Sequence, residues 1–122
     1  MSASRLEAAE DIKKILSSVK PPRAIFATTD EQASAALRAA RELGLRVPED
    51  LAIIGYDGVS EARLGSVSIT TIQVPLRALA VRAFNALEQP NDDWHLPQLL
   101  SGRLHLGETC GSVLKRVSKS PF

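Results

Sequence analysis

A chain of 122 residues can bury one compact core but not two complete ones. With 44% hydrophobic and 24% charged residues it matches neither a disordered nor a membrane-spanning composition. Fifteen Lys plus Arg against fourteen Asp plus Glu give a net charge of +1, with no dense basic block, which disfavours direct nucleic-acid binding by this segment.

In chain order, Leu6, Ala9, Ile12, Ile15, Leu16 and Val19 recur every three or four residues and predict an amphipathic helix, with Ser4 as its cap. Charges occupy the intervening positions up to Lys20, and no continuous apolar run of a signal peptide occurs there. Lys20-Pro21-Pro22 stops the helix, and Ala24 to Ala27 is short and apolar, as a strand covered on both faces requires. Thr29 and Gln32 have capping-box spacing, and Asp30 and Glu31 suit the positive end of a helix dipole. The helix that follows carries a narrow stripe of Ala33, Ala36, Leu37, Ala40 and Leu43, with Gly44 as its carboxyl cap and Pro48 beyond. Leu51 to Gly55 reads as a second buried strand, so residues 24 to 55 form a β-α-β unit with parallel strands and a right-handed crossover.

Ser60 to Gly65 has room for one helical turn, and Ile69 to Val74 is β-branched enough for a third strand. Pro75 suits the first position of a helix whose stripe is Leu76, Leu79, Ala80, Ala83, Phe84 and Leu87. Pro90-Asn91-Asp92-Asp93 is a loop by composition, Leu96 to Leu106 a bent strand or a hairpin around Ser101-Gly102, and the tail from Lys115 basic.

Parallel strands bring the segments after Ala27 and Gly55 to the same carboxyl edge, where open α/β sheets bind ligands. Asp57 there can accept hydrogen bonds from vicinal hydroxyls or an amine, as a sugar or nucleobase-like effector offers. Asp-Gly is also a common turn pair, and Asp30 has the alternative of capping its helix. Arg63 and Gln73 can reach a ligand edge, or be a solvated helix charge and an ordinary strand residue.

Two acids at strand ends also describe a metal-dependent hydrolase or phospho-acceptor using Asp30 and Asp57, but no lysine follows a later strand. Neither a Gly-rich phosphate loop nor a nucleophile elbow occurs, so no enzyme activity and no cofactor are expected. His95 and His105 lack metal-ligand spacing, and Cys110 has no partner for a disulfide or a zinc site. Trp94 beside a polar loop can stack on a sugar, though such a residue more often anchors its loop.

The residues Ala24-Ile25-Phe26-Ala27-Thr28-Thr29-Asp30, Glu42-Leu43-Gly44-Leu45-Arg46-Val47-Pro48-Glu49-Asp50, Ile53-Ile54-Gly55-Tyr56-Asp57, Ile69-Thr70-Thr71-Ile72-Gln73-Val74-Pro75 and Glu108-Thr109-Cys110-Gly111 together resemble the LacI/GalR regulators. The likeness runs from about Ser4 to Gly111. It implies a partial periplasmic-binding-protein-like α/β fold, mainly its carboxyl-terminal lobe, in a cytoplasmic repressor that holds a small effector between two lobes.

By that comparison residues 4–74 are lobe, 75–95 a helix and loop packed on the other lobe, 96–111 the return strand or strands, and 112–122 a tail. Asp57 falls on the family's effector-hydroxyl carboxylate, Asp30 on a structural position, and Thr29 where several members carry a ligand-binding Asn. The ligand-binding set expected is therefore Asp57, Thr29, Asp30, Arg63 and Gln73, with no metal. The resemblance further implies homodimer contacts from Glu31 to Arg38 and from Ser60 to Gly65, and DNA contact only through a helix-turn-helix outside this chain. A transport-type sugar-binding protein has the same architecture and stands as the alternative. The apolar stripe from Leu76 to Leu87 needs cover in water, so it is expected to self-associate or to dock back on the domain.

Overall fold

The computed structural model describes residues 3–88 and 99–112. Its elements are α1 (Ala3–Leu16), β1 (Ala24–Phe26), α2 (Asp30–Glu42), β2 (Ala52–Asp57), α3 (Ser60–Leu64), β3 (Thr70–Gln73), α4 (Leu76–Glu88) and β4 (Arg103–His105). The order is the one read from the chain. The loop at Pro90–Asp93, Trp94, His95, the start of the Leu96 segment and the basic tail lie outside the described residues.

The sheet has the order β1-β2-β3-β4. β1 and β2 are parallel with Ile25 opposite Ile53, and β2 and β3 are parallel with Asp57 opposite Gln73. β4 returns antiparallel, with Arg103 opposite Gln73. Of the stretch from Leu96 to Leu106, expected as a bent strand or a hairpin, the described residues 99–106 hold the strand β4, and the beginning of the stretch lies outside them.

Helix α2 forms the packing layer because alanine lets a helix sit close to a sheet. Ala33, Ala36, Ala39 and Ala40 are wholly buried together with Leu51 and Ile53, and Leu16 of α1 joins the same cluster. Burying Leu51 and Ile53 contributes roughly 1.5–3 kcal/mol each. The ends of α2 follow the sequence signals in part, since Gln32 Oε1 accepts from Thr28 Oγ1 at 2.8 Å where a full capping box would place it on Thr29 N. Thr29 Oγ1 accepts from Gln32 N at 3.2 Å, and Gly44, at φ 71°, closes the helix with bonds from Gly44 N to Arg41 O and from Leu45 N to Ala40 O. Lys13 of α1 pairs with Glu42, which also takes Arg38 Nε at 2.7 Å, so the two helices are tied at the surface as well as through the core.

Several boundaries differ from the expectation. α1 already includes Ser4, the residue expected to precede it as a cap. The helix ends at Leu16, because the unwound Ser17 to Lys20 segment already leads into Pro21-Pro22, and Val19 is left 99% exposed. Ile15, also counted on the apolar stripe, faces outward at 54% exposure. Leu43 of the α2 stripe is likewise exposed, because it is the residue at which the helix terminates.

The sheet is finished by a side chain that no strand pattern announces. Thr109 is fully buried beside the start of β2, where its carbonyl accepts from Ile53 N at 2.7 Å and its hydroxyl donates to Ile53 O at 2.7 Å. The same hydroxyl accepts from Thr70 N at 3.0 Å, while Thr70 Oγ1 accepts from Gly107 N at 3.0 Å. Thr109 thereby fills the gap where β2 and β3 have not yet begun to pair. Helix α4, in contrast, has no buried residue, and Leu76, Phe84 and Leu87 are 71%, 59% and 83% exposed. It does not dock back on the domain.

Candidate functional site

Because β1 and β2 run parallel, the residues after them emerge at one edge. Thr29 follows β1 as the cap of α2, and Asp57 is the last residue of β2. Asp57 has φ 115°, a left-handed conformation that costs a non-glycine residue about 1–3 kcal/mol. Its carbonyl accepts from Val74 N at 3.0 Å, which fixes the strained turn to the end of β3. Gly58 follows at φ 74°, and a Cβ there would stand only 2.6 Å from Gln73 Cβ, so glycine is required by both conformation and space.

Asp57 lies between two clefts. The larger, of about 900 Å³, runs from Asp57, Val59 and Gln73 to Pro75, Leu76 and Arg77 at the start of α4. The smaller, of about 420 Å³, is lined by Thr29, Glu31, Ser34, Glu61 and both Asp30 and Asp57. The larger is mostly apolar with three polar side chains, the usual character of a small-molecule site, whereas the smaller is acidic.

Asp30 touches the smaller cleft but is only 1% exposed, and its carboxylate is directed inward. Oδ2 accepts from Gly58 N at 2.8 Å and Val59 N at 2.9 Å, and Oδ1 accepts from Thr71 Oγ1 at 2.5 Å. Asp30, included in the expected ligand set, thus has both oxygens engaged as a fastener within the fold. Its carboxylate does not cap α2, the helix it belongs to; it holds the β2–α3 loop, including Val59 at the α3 amino terminus. Gly55 leaves the room for this, since a Cβ there would overlap Asp30 Oδ1 and stand 3.1 Å from Ala33 Cβ.

The other expected residues divide. Gln73 lies opposite Asp57 in the sheet and lines the larger cleft with it. Thr29 lines the smaller cleft, its hydroxyl oxygen accepting from Gln32 while its proton stays available to donate. Arg63 lines neither cleft: its Nε donates to Gly58 O at 3.1 Å and braces the turn after Asp57 from behind. Arg77 and Val59 were not singled out from sequence. The only signal for Arg77 was its place two residues after Pro75, in the first turn of a helix that begins at the ligand edge.

His105 is hydrogen-bonded at Nε2 to Ser68 Oγ over 3.0 Å, with Ser68 Oγ donating to Arg63 O at 3.0 Å. Cys110 is half-buried and donates to Ser112 Oγ at 3.3 Å. Among the described residues no group of three or more His, Cys, Asp or Glu side chains could hold a metal ion, and no helix is long and apolar enough to cross a membrane.

The chain belongs to the periplasmic binding protein-like domain family, whose model matches residues 1–110. Within the family its likenesses are to regulators of the LacI/GalR type. It is 46% identical over 76 residues to the HTH-type transcriptional repressor PurR of Salmonella arizonae, an alignment covering 62% of this chain and 22% of that protein. The lac repressor dimer bound to operator and the anti-inducer ONPF superposes with a TM-score of 0.77 at 27% identity, covering 86% of this chain and 37% of that one. A LacI family transcriptional regulator from Arthrobacter sp. FB24 in complex with lactose gives a TM-score of 0.72 at 29% identity, covering 84% and 40%. The chain therefore spans about a fifth of the length of the curated relatives it matches, at 22%, and about two fifths of these solved structures.

Proposed function

We propose that this chain is the effector-sensing and dimerising portion of a LacI-type transcriptional regulator, with a binding role and no catalytic one. The observation that carries the reading is Asp57: a strained carboxylate held at the carboxyl edge of a parallel sheet, beside a cleft of about 900 Å³. Backbone strain of this kind persists where the surroundings over-determine it, as they do at binding sites. A sugar or nucleobase-like effector donates hydroxyl or N–H groups to Asp57 and lies along Gln73 and the apolar wall of Val74, Pro75 and Leu76. In this reading residues 4–74 and 96–111 make one lobe and 75–95 face a second lobe, so that effector binding alters the angle between lobes in a cytoplasmic, homodimeric protein. DNA contact belongs to a helix-turn-helix outside this chain. The curated relatives being repressors favours a regulator over a transport-type sugar-binding protein. A metal-dependent hydrolase is disfavoured, because Asp30 commits both carboxylate oxygens internally.

Calorimetric titration of sugars and nucleobases into the protein tests the reading. Binding of at least one class, weakened in Asp57→Ala, is the expected result. Equal affinity in Asp57→Ala removes the proposed contact.

A further inference from the structure

The larger cleft presents two ionised side chains of opposite sign. Asp57 comes from the end of β2 and Arg77 from the first turn of α4, and Gln73 is the third polar side chain of the lining. The rest of the wall, including Val59, Val74, Leu76 and Val81, offers no side-chain hydrogen bond. Arg38 is engaged on Glu42 at 2.7 Å, Arg46 on Asp50 at 2.7 Å and Arg63 on Gly58 O at 3.1 Å, whereas Arg41 and Arg103 are, like Arg77, without a side-chain partner among the described residues but line neither cleft. Arg77 has no hydrogen bond or ion pair among the described residues.

A ligand that fills the cleft takes water away from this guanidinium, and a desolvated cation without a partner is costly. The planar fork of Arg matches a carboxylate or a phosphate, whereas a carboxylate such as Asp57 can only accept. A neutral polyol can donate to Asp57 and accept from Arg77, but it offers the guanidinium only neutral oxygens, whose bonds are about half as strong as those of an anion. An anion without hydroxyls satisfies Arg77 and is repelled by Asp57. We infer that Arg77 is the anion-recognition group of this cleft and that the effector is an acidic carbohydrate, with hydroxyls on Asp57 and its carboxylate or phosphate on Arg77. The inference rests on the effector-sensing reading and adds the chemical class of the ligand.

Calorimetry on the 122-residue chain tests it with glucose against glucuronate, galactose against galacturonate, glucose 6-phosphate, and inorganic phosphate alone. At least one sugar acid or the sugar phosphate is expected to bind more tightly than its neutral sugar by roughly 10–100-fold, the range of a charged hydrogen-bonded contact. Which of the two acidic types prevails separates a carboxylate effector from a phosphate one. Arg77→Ala erases that preference, Arg77→Lys restores part of it, and Arg103→Ala, an exposed arginine on neighbouring β4 outside the cleft lining, leaves it intact. Since Arg77 is exposed, its variants keep the far-UV spectrum and melting point of the parent.

Neutral sugars binding as tightly as their acids, inorganic phosphate binding as tightly as the sugar phosphate, a preference unchanged in Arg77→Ala, or no binding by any of these probes would each overturn the assignment. Binding that depends on Asp57 but is indifferent to Arg77 overturns this inference alone and leaves the effector-sensing reading standing.

Discussion

Replacing Asp30 should damage the domain more than replacing any other single carboxylate described, although the residue sits at the edge where a ligand contact was expected. Its three hydrogen bonds, to Gly58 N, Val59 N and Thr71 Oγ1, join α2 to the β2–α3 loop and to β3. Hydrogen bonds to a charged group contribute about 1.5–3 kcal/mol each. Val59 N is only partly buried and regains water, so the loss in Asp30→Ala comes to about 4–6 kcal/mol. Against a total of about 6–18 kcal/mol for a chain of this length, that is a large fraction.

Asp30→Asn keeps the shape but loses the charge and sets an amide against one of the donors, for a loss of about 2–3 kcal/mol. A double-mutant cycle with Thr71→Val should give a coupling of about 1–2 kcal/mol. Urea unfolding followed by far-UV circular dichroism measures all of these, and the Asn variant and the cycle serve if Asp30→Ala fails to fold. An Asp30→Ala protein within about 1 kcal/mol of the parent, or no coupling to Thr71, would refute the role of the carboxylate as a fastener.

Asp57→Gly releases the strain at φ 115° and should raise stability by about 1 kcal/mol while weakening effector binding, a divergence that urea unfolding and calorimetry read separately. The Asp50 carboxyl is lowered from 3.8 to about 2, first by the Arg46 side chain, which bonds it at 2.7 and 2.8 Å, and then by Arg46 N. A depressed carboxylate stabilises above its unfolded value and loses that contribution as pH falls through the folded one. Asp50→Asn should therefore flatten the pH dependence of stability between about 4 and 2, and NMR titration checks the residue directly. Thr109→Val leaves Ile53 O and Thr70 N without the hydroxyl partner and should cost about 2–4 kcal/mol in urea unfolding, whereas Thr109→Ser recovers most of it. The exposed stripe of α4 should make the 122-residue chain self-associate, which light scattering measures; a monomer at every concentration tested contradicts this.

Local signals carried most of the architecture. Thr29 and Gln32 at capping spacing, Gly44 after the alanine stripe and the apolar runs at Ala24 and Leu51 each act within a few residues, and the structure uses each of them where it stands. The parallel pairing of β1 and β2 followed from the length of α2 between them. The site was legible only in part: Asp57 and Gln73 could be placed at the ligand edge, since each belongs to a strand end. The inward turn of Asp30 depends on Gly55, Gly58 and Thr71, residues 25 to 41 positions away, and no periodicity records such a contact. Arg63 looked available for a different reason: its acceptor is a backbone carbonyl five residues earlier, and residue types do not record where a side chain meets the backbone. The exposure of α4 is a property of what surrounds a helix and not of its stripe, which looks the same whether or not it is covered.

The contact between Thr109 and Ile53 also orders events in time. The acceptor and donor on β2 lie 56 residues ahead of the hydroxyl and carbonyl that satisfy them, so during synthesis β2 leaves the ribosome with its opening bonds unmet. Assembly of β1, α2 and β2 can begin early, yet the seam toward β3 stays open to water, to wrong partners and to proteases until the last described turn arrives. A ribosome stalled before Thr109 would hold a half-closed sheet, and the late threonine acts as the latch that commits it.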